Sequence, residues 1–78
     1  MASKTGPSGN GRVINHIRVL RAAQHGMTQG DLAKRVGVSR QTLNAIEGGK
    51  YAPSLEVAFK IARQLGRPLA EVFEFVES

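Results

Sequence analysis

The chain has 78 residues and no cysteine, which gives room for one domain and excludes disulfides, thiolate metal sites and a cysteine nucleophile. Eleven Lys and Arg against six Asp and Glu leave a net charge of +5 and a pI of about 10.5. His16 and His25 are too few for an imidazole zinc site unless carboxylates complete it, and no apolar run exceeds three residues, so the sequence predicts neither a membrane span nor a signal-peptide core but a soluble, cytoplasmic protein.

Residues 1–11 hold three Gly, one Pro and no large apolar residue after Met1. They cannot bury enough surface to offset the entropy of ordering, which predicts a flexible tail followed by one domain over 12–78. A first helix is predicted from about Asn15, an N-cap residue type, or slightly earlier, burying Ile17 and Leu20 and ending by Gly26. Thr28 caps a second helix, with Asp31 three residues on to complete a capping box. Leu32, Ala33 and Val36 form its inner face, and Gly37 suits the left-handed residue that ends it. Ser39 caps a third helix whose Leu43, Ile46 and Glu47 face inward; Gly48-Gly49 stops it. Pro53-Ser54 opens a fourth, with Ala58, Ile61, Ala62 and Leu65 at helical spacing before Gly66. Pro68 opens a short fifth helix carrying Leu69, Val72 and Phe73. The alternation Phe73-Glu74-Phe75 permits a short strand, and Val13-Ile14 is its plausible partner.

Charge is not spread evenly over these elements. Arg12 to Lys50 carries seven cations against Asp31 and Glu47, whereas Tyr51 to Ser78 is net negative by one. Solubility alone does not require that asymmetry; attraction of a polyanion to one face does. Within the basic stretch, Gln29 to Ile46 has the makings of two short helices meeting across Gly37-Val38-Ser39. Ala33 is small where the helices approach, Gly37 allows the sharp turn, and Val36, Val38, Leu43 and Ile46 form the apolar wedge that fixes a helix-turn-helix angle. With Leu43, Ile46 and Glu47 turned inward, Arg40, Gln41, Asn44 and Ala45 point outward. Arg can bridge the two major-groove acceptors of guanine, and Gln the donor and acceptor of adenine. No acid lies between Ser39 and Ala45. Glu47 would repel a phosphate and so reads as an inward, structural residue.

Thr28-Gln29-Gly30-Asp31-Leu32-Ala33, Gly37-Val38-Ser39-Arg40-Gln41-Thr42-Leu43, Ile46-Glu47 and Lys50-Tyr51-Ala52-Pro53-Ser54-Leu55 resemble the lambda-repressor-like, Cro-type (XRE) family, and within it the small stand-alone repressors. The resemblance covers roughly residues 13–76. It implies an all-α, five-helix domain, with the terminal strand pair as an optional addition, acting as a double-stranded DNA-binding transcriptional regulator. It further implies DNA contacts at Gln29, Ser39, Arg40, Gln41, Thr42, Asn44, Lys50 and Tyr51, Gln29 binding a phosphate through its side chain and backbone amide. Glu47 should form an ion pair with an arginine of the first helix, and Arg21 has the spacing. Two departures stand out: Leu20 to Met27 is one residue longer than in that subgroup, and Gly30 lies inside the second helix, where it costs about 1 kcal/mol relative to Ala.

Leu69, Val72, Phe73, Phe75 and Val76 are more apolar surface than one short terminal helix needs, which predicts a symmetric dimer interface and a repressor reading an inverted repeat. A small-molecule ligand, a cofactor, a metal and an enzymatic activity find no support. There is no Gly-rich phosphate loop, and nothing in the positions suggests a Ser-His-Asp set or a buried carboxylate pair. The competing reading is an antitoxin or another protein-binding module on the same fold. A basic membrane-surface helix is disfavoured because the cations are dispersed over several helices.

Overall fold

A computed structural model describes residues 11–77. The order is β1 (Gly11–Asn15), α1 (Ile17–Ala22), α2 (Gln29–Val36), α3 (Arg40–Glu47), α4 (Leu55–Leu65), α5 (Leu69–Val72) and β2 (Phe73–Glu77). No helix among the described residues is long and apolar enough to cross a membrane. The five helices surround a core of Ile17, Leu32, Ala33, Val36, Leu43, Ile46, Ile61, Ala62, Leu65 and Val72. These are the residues whose spacing put them on the inner faces of their helices, and burying each large one stabilises the domain by about 1.5–3 kcal/mol.

The caps are local and encoded. The Thr28 hydroxyl accepts from Asp31 N–H at 3.0 Å while the Asp31 carboxylate accepts from Thr28 N–H at 3.2 Å. Ser39 and Ser54 accept in the same way from Thr42 and Val57. Gly37 closes α2 at φ +80°, where a Cβ would be strained, and its N–H and that of Val38 both bond to Ala33 C=O.

The chain differs from an all-α domain at its two ends. β1 and β2 pair antiparallel, with Val13 opposite Phe75 and Asn15 opposite Phe73, so the fold is mostly helical with a small two-stranded sheet. The first helix accordingly starts at Ile17, two residues later than the Asn15 boundary, because the backbone through Asn15 is still in the strand. Asn15 nevertheless supplies the cap, its Oδ1 accepting from Ile17 N–H at 3.1 Å. Leu20, expected to be buried, is half-buried. Phe73, expected on the fifth helix, begins β2, and Gly11, expected in the tail, pairs with Glu77 under the Phe75 ring. The rest of the predicted tail lies outside the described residues. Between α1 and α2 the chain turns through two consecutive left-handed residues, His25 at φ +55° and Gly26 at φ +71°.

Candidate nucleic-acid interface

α3 is the second helix of the turn-linked pair and is held at both ends. Ser39 caps its start, and the Asn15 side-chain NH2 donates to Ile46 C=O at 3.0 Å and to Glu47 C=O at 3.4 Å near its end. With Leu43 and Ile46 in the core, the opposite side exposes Arg40, Gln41 and Asn44 together, with Thr42 and Ala45 half-buried beside them. Gln41, Thr42 and Ala45 border a shallow depression that Tyr51 closes from the loop after α3. Lys50 is exposed in the same loop, its backbone N–H tied to Ala45 C=O at 2.9 Å.

The structure changes the chemistry available to two of the predicted contacts. The Ser39 hydroxyl accepts from Thr42 N–H and donates to the Thr42 hydroxyl, both at 2.9 Å, so it serves the helix cap and leaves Thr42 with the outward proton. The Gln29 side-chain NH2 donates to Glu47 Oε1 and to Asn44 Oδ1, each at 3.2 Å. Both of its protons are used within the molecule, and that side chain has no donor left for a phosphate. The backbone N–H groups of Gln29 and Gly30, in the first turn of α2, have no intrahelical partner and remain able to bind an anion.

Glu47 turns inward. Arg21 meets its carboxylate in a two-pronged pair, Nε to Oε2 at 2.8 Å and Nη2 to Oε1 at 3.0 Å, and the third arm of the guanidinium donates to Met27 C=O at 3.0 Å. The Glu47 side chain is 3% exposed. The acid nearest the outward face of α3 is therefore buried and neutralised. Asp31, the other acid of this stretch, is exposed at the start of α2; the Thr28 backbone N–H and the Thr28 side chain, helped by Arg35 and Lys34, lower its pKa from the ordinary carboxylate value.

On another side, Val13, Tyr51, Leu55, Leu69 and Phe73 line an open groove of about 540 Å³ between the sheet, the α3–α4 loop, α4 and α5. Val13 is 53% and Leu55 67% exposed, and Phe75 lies opposite Val13 across the sheet. Of the residues expected at a dimer interface, Leu69 and Phe73 border this groove and Phe75 adjoins it. Val76 is half-buried. Val72 is wholly buried in the protomer's own core and has no surface to offer. Val13 was read only as a strand residue opposite the chain's other end, and Leu55 is a lone apolar residue between Ser54 and Glu56; the fold brings both to the groove that Phe73 lines. Asn15 was read as a helix cap, and its hold on α3 spans 31 residues of sequence.

Residues 17–72 match the Helix-turn-helix family HTH_3. An uncharacterized HTH-type transcriptional regulator of Methanocaldococcus jannaschii is 54% identical over 59 residues, 76% of this chain and 88% of that protein. An uncharacterized HTH-type transcriptional regulator of Bacillus subtilis, YgzD, is 44% identical over 59 residues, again 76% of this chain and 88% of that protein. The crystal structure of the transcriptional regulator VanUg superposes with a TM-score of 0.72, covering 97% of this chain and 100% of that one, at 24% identity; that likeness speaks to the fold. On its turn-linked helices, its caps and these matches, the chain belongs to the XRE-like helix-turn-helix family of DNA-binding transcriptional regulators.

Proposed function

We propose that the protein is a sequence-specific repressor that binds double-stranded DNA as a homodimer on an inverted repeat. The observation that carries this reading is the outward face of α3. Arg40, Gln41 and Asn44 stand exposed there, and the nearest acid is buried against Arg21. A helix presenting donors and no exposed carboxylate suits a major groove, with its first turn leading. Arg40 and Gln41 read base edges in this scheme. Thr42 and Lys50 meet phosphates, as do the backbone amides opening α2, and Tyr51 packs beside Gln41 along the backbone.

The groove between the sheet and α4 supports the dimer. Exposed apolar surface of this kind marks an interface, and its Tyr51 belongs to the loop that follows α3. A two-fold contact there keeps both copies of α3 on one side of the pair, and half-sites about 34 Å apart are the expected outcome. In this scheme occupancy of the site is itself the regulatory act.

Selection of bound duplexes from a random library tests the proposal. The expected result is a palindromic consensus with half-sites one helical turn apart. No enrichment at about 50 mM salt, where phosphate contacts are strong, would refute it.

A further inference from the structure

The buried charge of Glu47 decides which way an exposed amide on α3 points. A carboxylate accepts hydrogen bonds and donates none. The Gln29 amide atom 3.2 Å from Glu47 Oε1 is therefore the NH2 nitrogen. That nitrogen's second proton reaches Asn44, whose facing atom, also at 3.2 Å, must then be the carbonyl Oδ1. The polarity passes from the Arg21–Glu47 pair through Gln29 to Asn44, and Asn44 is exposed among the outward residues of α3. A free asparagine flips its amide and offers a donor or an acceptor as required. Here the carbonyl is held inward and the NH2 faces out.

We infer that Gln29 is a positioning residue that fixes Asn44 as a donor-only contact. Asn44 therefore meets a hydrogen-bond acceptor, a phosphate oxygen or a base-edge acceptor such as guanine O6 or N7, adenine N7 or thymine O4, and does not make the two-pronged adenine contact, which needs the carbonyl and the NH2 together. This rests on the DNA-binding reading above.

The test uses the full chain in two arms. In the first, 15N-labelled protein without DNA is followed by NMR. The Gln29 side-chain NH2 should exchange with water more slowly than that of Asn44. Gln29→Met should shift the Asn44 NH2 resonance and leave the backbone spectrum away from α2 and α3 unchanged. In the second arm, wild type, Gln29→Met and Asn44→Asp are titrated with a selected duplex and an unrelated one. Gln29→Met should lower affinity for the selected duplex at least about fivefold, alone where Asn44 meets a base and together with the unrelated duplex where it meets a phosphate. Asn44→Asp removes the donor and should weaken binding further. Beyond the uniform weakening that the added charge brings to every duplex, a loss confined to one base pair assigns the acceptor to a base edge, and no such position assigns it to phosphate.

Three results would each overturn the inference. They are wild-type affinity for both duplexes in Gln29→Met, equally fast exchange of the two amides, and lost affinity when purine, which lacks the N6 amine, replaces adenine at the position Asn44→Asp affects. If wild type shows no preference between duplexes while Gln29 is still protected, the DNA-binding reading has failed and the inference falls with it; fast Gln29 exchange alongside intact preference sinks the inference alone.

Discussion

Replacing Arg21 by methionine keeps much of the apolar stem and deletes the guanidinium. Two charge-assisted bonds to Glu47 and one to Met27 C=O disappear. The Glu47 carboxylate, 3% exposed, is left with the Gln29 amide as its side-chain partner. Breaking one side of such a buried pair costs about 3–5 kcal/mol, because the remaining charge is neither hydrated nor neutralised. A domain of this length has about 4–12 kcal/mol in total, so the change takes a large share of it. In a domain of this size each kcal/mol moves Tm by about 4–8 °C, which places the expected drop at roughly 12 °C or more. Urea unfolding followed by far-UV circular dichroism, at one fixed protein concentration, gives the free energy directly. The double variant Arg21→Met/Glu47→Leu should regain most of the loss, since it removes the stranded charge. A single-variant cost below about 1 kcal/mol, the range of exposed pairs such as Lys60–Glu56 and Arg67–Glu71, would refute the claim that this pair acts as a buried one.

Gly37→Ala should destabilise by about 1–2 kcal/mol, entirely through backbone strain, because a Cβ there meets nothing within 4 Å and φ is +80°. Gly30→Ala should stabilise by about 0.5–1 kcal/mol, since its Cβ would touch only the Thr28 hydroxyl at 3.9 Å within a helix; thermal unfolding reads both. Asp31 has a lowered pKa in the folded state, so its capping contribution is present above the ordinary carboxylate range and lost as pH falls through the folded value. Asp31→Asn should flatten that part of the stability–pH curve. Arg40→Ala should relax preference at one base position at a cost of about 1–3 kcal/mol, whereas Lys50→Ala should weaken all sequences alike and lower the salt slope by about one, both read from selection and salt titration. Leu55→Glu should yield a monomer by light scattering without unfolding the protomer.

The helices were legible because their signals are local. Thr28 with Asp31, Ser39 with Thr42, and Gly37 and Gly66 at left-handed φ act within a few residues of themselves. The Arg21–Glu47 partnership was drawn from a family likeness, and the geometry supplies its two prongs. Asn15 shows where local reading stops. A good N-cap type did cap a helix, but its backbone had already paired with Phe73, a partner 58 residues away whose claim the sequence does not rank. Gln29 is the sharper case. The family likeness implied a phosphate contact there through side chain and backbone, and tertiary structure turns the side-chain NH2 toward Glu47 and Asn44.

Asn15 also joins two parts of the molecule mechanically. One amide grips the last carbonyls of α3, while its backbone belongs to the ribbon formed by the two chain ends. A pivot of α3 against that ribbon would break both of these bonds. A load on the ribbon, whether from a neighbour, a fused tag or a mutation, therefore has a direct route to α3 through Asn15.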